Sequence, residues 1–314
     1  MKFSVFLKKL RMKQNLTQYE LVTRLMLENP IFDTLNVVSY GRWERGITVP
    51  SVKKILLIAH YAGYDLGEVI RSLDLKLSTT QINTFNSWLD FQNELGELNT
   101  LIGYDNSDNL HYRFLKFDSA QAIDDNLNSA LIDKIRKHTV KVLGVDADMA
   151  PTQDVRQRWQ QSGNLIHYVC MSSDNHLSAH ATWTLHPLIT LTHFVTSFSK
   201  NDINMNTLPI PNDSDELFML INSSVLFAPR WNNFIFNELI KTLLHNPRIR
   251  NVILATHIKD IAQMSISVFN GEITIIRENK KYITPTMTRL INISSIDLLS
   301  NHGVIDRVKN NYRK

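Results

Sequence analysis

A single cysteine, Cys170, occurs in 314 residues. That excludes an internal disulfide and any cysteine-rich zinc finger, and a lone thiol of this kind reads as a small buried side chain. Long apolar runs are missing too: none approaches the roughly 18–20 residues that span a bilayer. The basic start MKFSVFLKKL has neither a long apolar stretch nor a small-residue cleavage site, so a cytoplasmic protein with no membrane contact is expected. Excess charge is scarce, with a net charge of only +4. Its distribution is uneven: residues 1–76 hold twelve basic and seven acidic side chains, a surplus of five, which leaves the remainder at −1. A basic head on a near-neutral body is what phosphate binding by the head alone requires. The length suffices for two domains, and 43% hydrophobic with 20% charged residues is ordinary globular composition.

The most ordered pattern lies in residues 16–46. Leu16, Leu21 and Leu25 share one side of a helix capped by Thr17, with Glu20 completing a capping box. Asn36 repeats the cap signal before a second short helix, residues 37–45, and Gly46 is able to leave that helix with positive φ. Ahead of them, residues 5–13 form a helix with Phe3, Phe6 and Leu10 inward and Lys8, Lys9, Arg11 and Lys13 outward. Behind them, Val52, Ile55, Leu56 and Ala59 follow Pro50 at helical spacing. A fifth helix, residues 66–77, carries Leu66, Val69, Ile70, Leu73 and Leu77 on one stripe.

Leu16-Thr17-Gln18 at one helix start, then Arg42-Trp43-Glu44-Arg45-Gly46 and Pro50 closing the next, resemble the lambda-repressor-like, XRE-type helix-turn-helix domain. The resemblance covers residues 3–73 and implies double-stranded DNA as partner, a palindromic operator and a homodimer. It implies backbone contacts for Arg11 and Gln18, and it turns Asn36, Val37, Val38, Ser39 and Arg42 toward the major groove. A valine there either meets a thymine methyl or packs. Arg42 either grips a guanine or clamps a phosphate. Arg45, Lys53 and Lys54 join as basic side chains within reach of phosphate, whereas Trp43 reads as core and Glu44 as the local partner of a basic group. Nine residues, 26–34, stand where the family has a single turn residue, so the turn must bulge. Ala62-Gly63 resembles the cleavage site of self-cleaving phage repressors, but no Ser/Lys peptidase pattern follows it.

Residues 77–109 read as a linker: a helix over 82–102, bent near Gly96 and a candidate dimer interface, then a polar loop. From residue 110 the pattern is mixed α/β. It runs as a strand at 111–117, helices at 119–143 and 151–161, and strands at 165–172 and 177–188. A loop follows, then a strand at 216–229, a helix at 231–244, a strand at 251–255, a helix at 258–269, and strands at 272–277 and 282–293. This order resembles the GNAT acetyltransferase fold. The expected fold class is therefore an all-α, five-helix head (1–76), a helical linker (77–109) and a mixed α/β GNAT-like domain (110–314) with a mostly antiparallel sheet.

In that family a glycine-rich turn wraps the coenzyme A pyrophosphate with bare backbone amides. The matching turn here is Arg230-Trp231-Asn232-Asn233-Phe234-Ile235, in which Asn233 and Ile235 replace the small residues and obstruct that approach. Ser265 and Ile266 stand where the family has its general-acid tyrosine. The expectation is therefore a regulator without catalytic residues or an acetyl-CoA cofactor. Its body senses or dimerises, with Asn222, Ser223, Arg230, Asn232 and Asn233 as candidate contacts to a small-molecule effector. The alternative is an acetyltransferase targeted by the head. His176, His180 and His186 share strand parity, with His167 and His193 nearby. Four residues along a strand span about 13 Å, too far for one ion, so pocket or surface roles are expected and no metal.

Overall fold

The basic head begins with α1 (Phe3–Lys13), α2 (Gln18–Glu28), α3 (Val37–Glu44), α4 (Val52–Tyr61) and α5 (Leu66–Ser72). The structure, a computed structural model, describes residues 1–101, 112–121, 129–144, 146, 149–173, 177–225, 230–279 and 286–311. These residues divide into two compact units. The first gathers residues 1–85 with 242–247 and the chain from 296 on; the second comprises 86–241 and 248–295.

Local chemistry sets the helix starts of the first unit. Glu20 N donates to Thr17 Oγ1 at 3.2 Å while Thr17 N donates to Glu20 Oε2 at 2.6 Å, the reciprocal capping box. Ser51, directly after Pro50, caps α4, and Asp65 caps α5. Leu7, Leu10, Tyr40, Leu56 and Ile70 fill the core at 1% exposure or less. The nine-residue bulge is a continuation of α2 to Glu28 followed by a 3-10 turn, Pro30–Phe32. Phe32 from that turn is fully buried, and Asn29 caps Ile31 N while donating its amide to Tyr61 Oη at 3.1 Å. The insertion thus adds to the core of the head.

Two helices that the sequence pattern did not indicate, α12 (Ser295–Ser300) and α13 (His302–Asn311), complete this unit. Leu298, Leu299, Val304, Ile305 and Val308 are buried. Lys309 Nζ donates to Leu73 O at 2.9 Å, and Ser78 N donates to His302 Nδ1 at 2.7 Å. The linker helix α6 (Thr79–Leu101) is continuous through Gly96.

The second unit is a seven-stranded sheet of order β1-β2-β3-β4-β5-β7-β6. Its strands are β1 (Arg113–Phe117), β2 (Leu165–Met171), β3 (Leu177–Pro187), β4 (Leu217–Val225), β5 (Ile249–Thr256), β6 (Glu272–Asn279) and β7 (Thr286–Ser294). Among the described residues only β4 and β5 run parallel, and every other neighbouring pair of strands is antiparallel. One face carries α7 (Ser129–Leu143), α8 (Gln153–Gln161) and α9 (Leu191–Lys200), whose Leu143, Trp159, Phe194 and Phe198 pack with Phe218, Leu220, Ile253 and Leu290. The other carries α10 (Trp231–His245) and α11 (Lys259–Phe269); Trp88 of α6 packs edge-on against Phe236 and Phe269. Buried Arg277 donates to Phe198 O and Leu143 O and lies 4.0 Å over the Phe198 ring, satisfying carbonyls at two helix ends at once. Cys170 is fully buried, and burial pushes its thiol up to about 12. Among the described residues, no helix is long and apolar enough to cross a membrane.

Candidate nucleic-acid interface

Helix α3 is short because Asn36 starts it and Gly46, at φ +70°, ends it. Asn36 is exposed, and its Oδ1 accepts the Ser39 amide at 2.8 Å, so one of the expected groove contacts also holds the helix start. The back of α3 is closed by Tyr40, Gly41 and Trp43, all buried. The flank facing α2 is tight: a Cβ at Gly41 would lie 3.2 Å from Arg45 Nη1 and 3.4 Å from Gln18 Oε1. The front shows Val38, 65% exposed, with Arg42 and Arg45, while Val37 and Ser39 are half-buried. Neither Arg42 nor Arg45 has a side-chain hydrogen bond or ion pair to another described residue. The loop after α3 extends this front with exposed Ile47, Thr48 and Val49, which periodicity did not mark because they belong to no helix.

Glu44 anchors the back of the helix. Its carboxylate accepts Arg11 Nε at 2.6 Å, Gln18 Nε2 at 2.6 Å and Tyr40 Oη at 3.2 Å. Arg11 also donates through Nη1 to Leu16 O at 2.9 Å. Burial alone would raise the Glu44 pKa, but the bonds from Arg11 and Gln18 and the Arg11 charge hold it below the usual value. The bond to Glu44 raises Arg11 in turn. Arg11 and Gln18, expected at the DNA backbone, thus sit in a network that fixes α3 against α1 and α2. Any phosphate they meet must share them with Glu44.

Lys53 and Lys54 lie at the start of α4, both half-buried. Lys53 Nζ pairs with Asp297 of α12 at 2.6 Å, and Lys54 Nζ stands 6.0 Å from the centre of the Phe32 ring. No local signal links Lys53 to Asp297, which lies near the other end of the sequence.

This is a capped helix with a cationic front and an aromatic back, held against the helix before it. Residues 7–69 match the helix-turn-helix family model. No curated protein matches the sequence. Similar solved structures include Arabidopsis thaliana NAA60 in complex with acetyl-CoA, at 8% identity and a TM-score of 0.35, covering 59% of this chain and 99% of that one. Arylalkylamine N-acetyltransferase 2 from Aedes aegypti aligns at 10% identity and a TM-score of 0.33, again over 59% and 99%.

The effector contacts expected outside the helix-turn-helix unit fall on β4 and at the start of α10. Ser223 pairs with Thr182 between β4 and β3, and the register skips Asn222, which makes it the extra residue of a bulge. The side chains of both lie outside the described residues. Strand β4 leaves β5 after the Ile221–Leu254 pair. Arg230 is exposed with φ +63°, Asn233 is half-buried, and buried Asn232 donates its amide to Gln92 O at 2.6 Å. His176 lies outside the described residues. Of the other histidines, His167 Nδ1 pairs with Thr182 Oγ1 and His186 Nε2 with Thr184 Oγ1, each at 2.9 Å, and burial lowers both to about 3.

Proposed function

We propose that this chain is a sequence-specific DNA-binding transcription regulator that reads the major groove with the front of α3. The observation that carries this reading is the two-sided character of α3: Val38, Arg42 and Arg45 face outward from a buried Tyr40-Gly41-Trp43 back, inside a segment matching the helix-turn-helix model. Arg42 supplies the guanine contact and Arg45 the phosphate contact, Val38 the apolar contact to a thymine methyl. The chain works in the cytoplasm as a homodimer whose two heads sit about 34 Å apart on a palindrome. Selection from random duplex DNA, followed by mobility shifts in a salt series, tests this. One enriched palindrome whose preference survives moderate salt is expected; equal affinity for random duplex rejects the reading.

The α/β body serves sensing or dimerisation rather than acetyl transfer. A coenzyme A pyrophosphate needs bare backbone amides at the start of α10, and the residues present do not fit it: Trp231 is fully buried there and the Asn232 side chain is bound to Gln92 O. Ser265, 1% exposed, offers no general acid where the family has tyrosine. Calorimetry with acetyl-CoA at millimolar concentration should register no binding, and a saturable isotherm would reinstate the acetyltransferase alternative.

A further inference from the structure

Lys53 stands at the start of α4, shortly after the loop in which Ile47, Thr48 and Val49 extend the exposed front of α3. A lysine so placed is within reach of phosphate once α3 enters a groove, yet its charge is already engaged: Nζ lies 2.6 Å from Asp297 Oδ1. The acid is the fixed partner of the two. Its side chain is 11% exposed against 37% for Lys53, and the next two residues of α12, Leu298 and Leu299, are each 1% exposed and anchor that helix. Asp297 Oδ1 makes no aligned hydrogen bond, so charge holds the contact, and a phosphate has to displace the carboxylate to win the lysine. Both residues belong to the first unit. Asp297 lies far beyond residues 7–69, the stretch that matches the helix-turn-helix model, so the pair is no part of that motif.

Each phosphate contact made by a lysine releases condensed counterions and adds affinity on every sequence alike. A carboxylate that occupies the lysine removes this contribution and leaves the base-reading side chains untouched. We propose that Asp297 holds Lys53 off the DNA backbone and so lowers affinity for duplex of any sequence. This rests on α3 being the helix that enters the groove. Asp297 acts as a positioning residue, since it touches Lys53 and not the nucleic acid.

Mobility shifts of the full chain in a salt series test this, with a random duplex and a selected one as probes. Asp297→Asn should bind both at least twofold more tightly at low salt, about what an exposed ion pair is worth. The slope of log affinity against log salt should steepen by about one. Combining Lys53→Gln with Asp297→Asn replaces the ion pair by two neutral amides and should restore the affinity and slope of the parent. Glu68→Gln, at an exposed position of α5, makes the same change of net charge and should move the slope less than Asp297→Asn does. An unchanged slope in Asp297→Asn, an equal change in Glu68→Gln, a gain confined to one probe, or a double variant with a shallower slope than the parent would each overturn the proposal. The double variant decides alone if the single one does not fold. A parent that binds no duplex overturns the reading of α3 and this proposal with it, whereas a parent that binds, with Asp297→Asn no different, overturns this proposal only.

Discussion

Glu44 accepts the Nε–H of Arg11 at 2.6 Å and so ties the end of α3 to α1 across 33 positions of sequence. Because the charged carboxylate also accepts from Gln18 and Tyr40, its loss should be felt along the whole of α3. Glu44→Gln should cost about 1–3 kcal/mol at pH 7. The sign of the pH effect follows from the lowered folded pKa of Glu44. Its contribution is complete above the ordinary value of 4.5 and disappears as pH falls through the lower folded value. Urea unfolding at pH 7 and pH 3 should therefore show a smaller difference in Glu44→Gln than in the parent, and an unchanged difference would refute the role.

Under the proposed function, Arg42 and Arg45 divide the work of recognition. Arg42→Ala should relax sequence preference by about 1–3 kcal/mol at one base position, whereas Arg45→Ala should weaken all sequences alike and reduce the salt slope by about one. Gln18→Ala should also weaken all sites alike, now partly through its bond to Glu44. Competition binding at several salt concentrations separates these outcomes.

The C-terminal helices belong to the head's core. A Cβ at Gly303 would fall 2.4 Å from Phe85 Cβ, Cγ and Cδ1, and Phe85 is itself only 1% exposed. Gly303→Ala should therefore destabilise the first unit by about 1–3 kcal/mol. Hydrogen exchange should report faster opening of α1, α4 and α5, with the sheet strands unchanged.

Gly144 and Gly163 make a controlled pair in the second unit. Both have positive φ, at +65° and +75°. A Cβ at Gly144 would meet Asn279 Cγ at 2.7 Å, but at Gly163 nothing lies within 4 Å. Gly163→Ala should show backbone strain alone, about 1 kcal/mol. Gly144→Ala should lose clearly more, because Asn279 also donates to Lys141 O at 2.8 Å and Thr288 Oγ1 at 3.0 Å and cannot withdraw without breaking those bonds. Thermal unfolding of the two variants reads the difference.

What sequence could reveal depended on range. Thr17 with Glu20, and Asn36 before α3, were legible because a cap and its amide lie three residues apart. The outward residues came from the family resemblance, which placed Val37 and Ser39 in the groove beside Val38 and Arg42, whereas the first two are half-buried. The order of strands and helices along the chain was legible because each type has its own period; the exchange of β6 and β7 in the sheet was not, because pairing is a long-range property. Helix α9 was not: Phe194 and Phe198 sit among threonines and serines, and a weakly helical segment forms because both rings enter the core beside Phe218. Phe32 likewise looked like part of a loop, since nothing nearby shows that a core vacancy awaits it. Lys53 and Asp297, or Lys309 and Leu73, meet only through tertiary structure, and no local pattern encodes such pairs.

The contribution of α12 and α13 to the head bears on biosynthesis. A ribosome makes α1 to α5 first but emits Leu298, Val304 and Ile305, buried in the same compact unit, only after some two hundred further residues of sheet and helix have appeared. An interrupted translation product would thus carry an unfinished first unit, so under the proposed function competence for DNA arrives together with the α/β body.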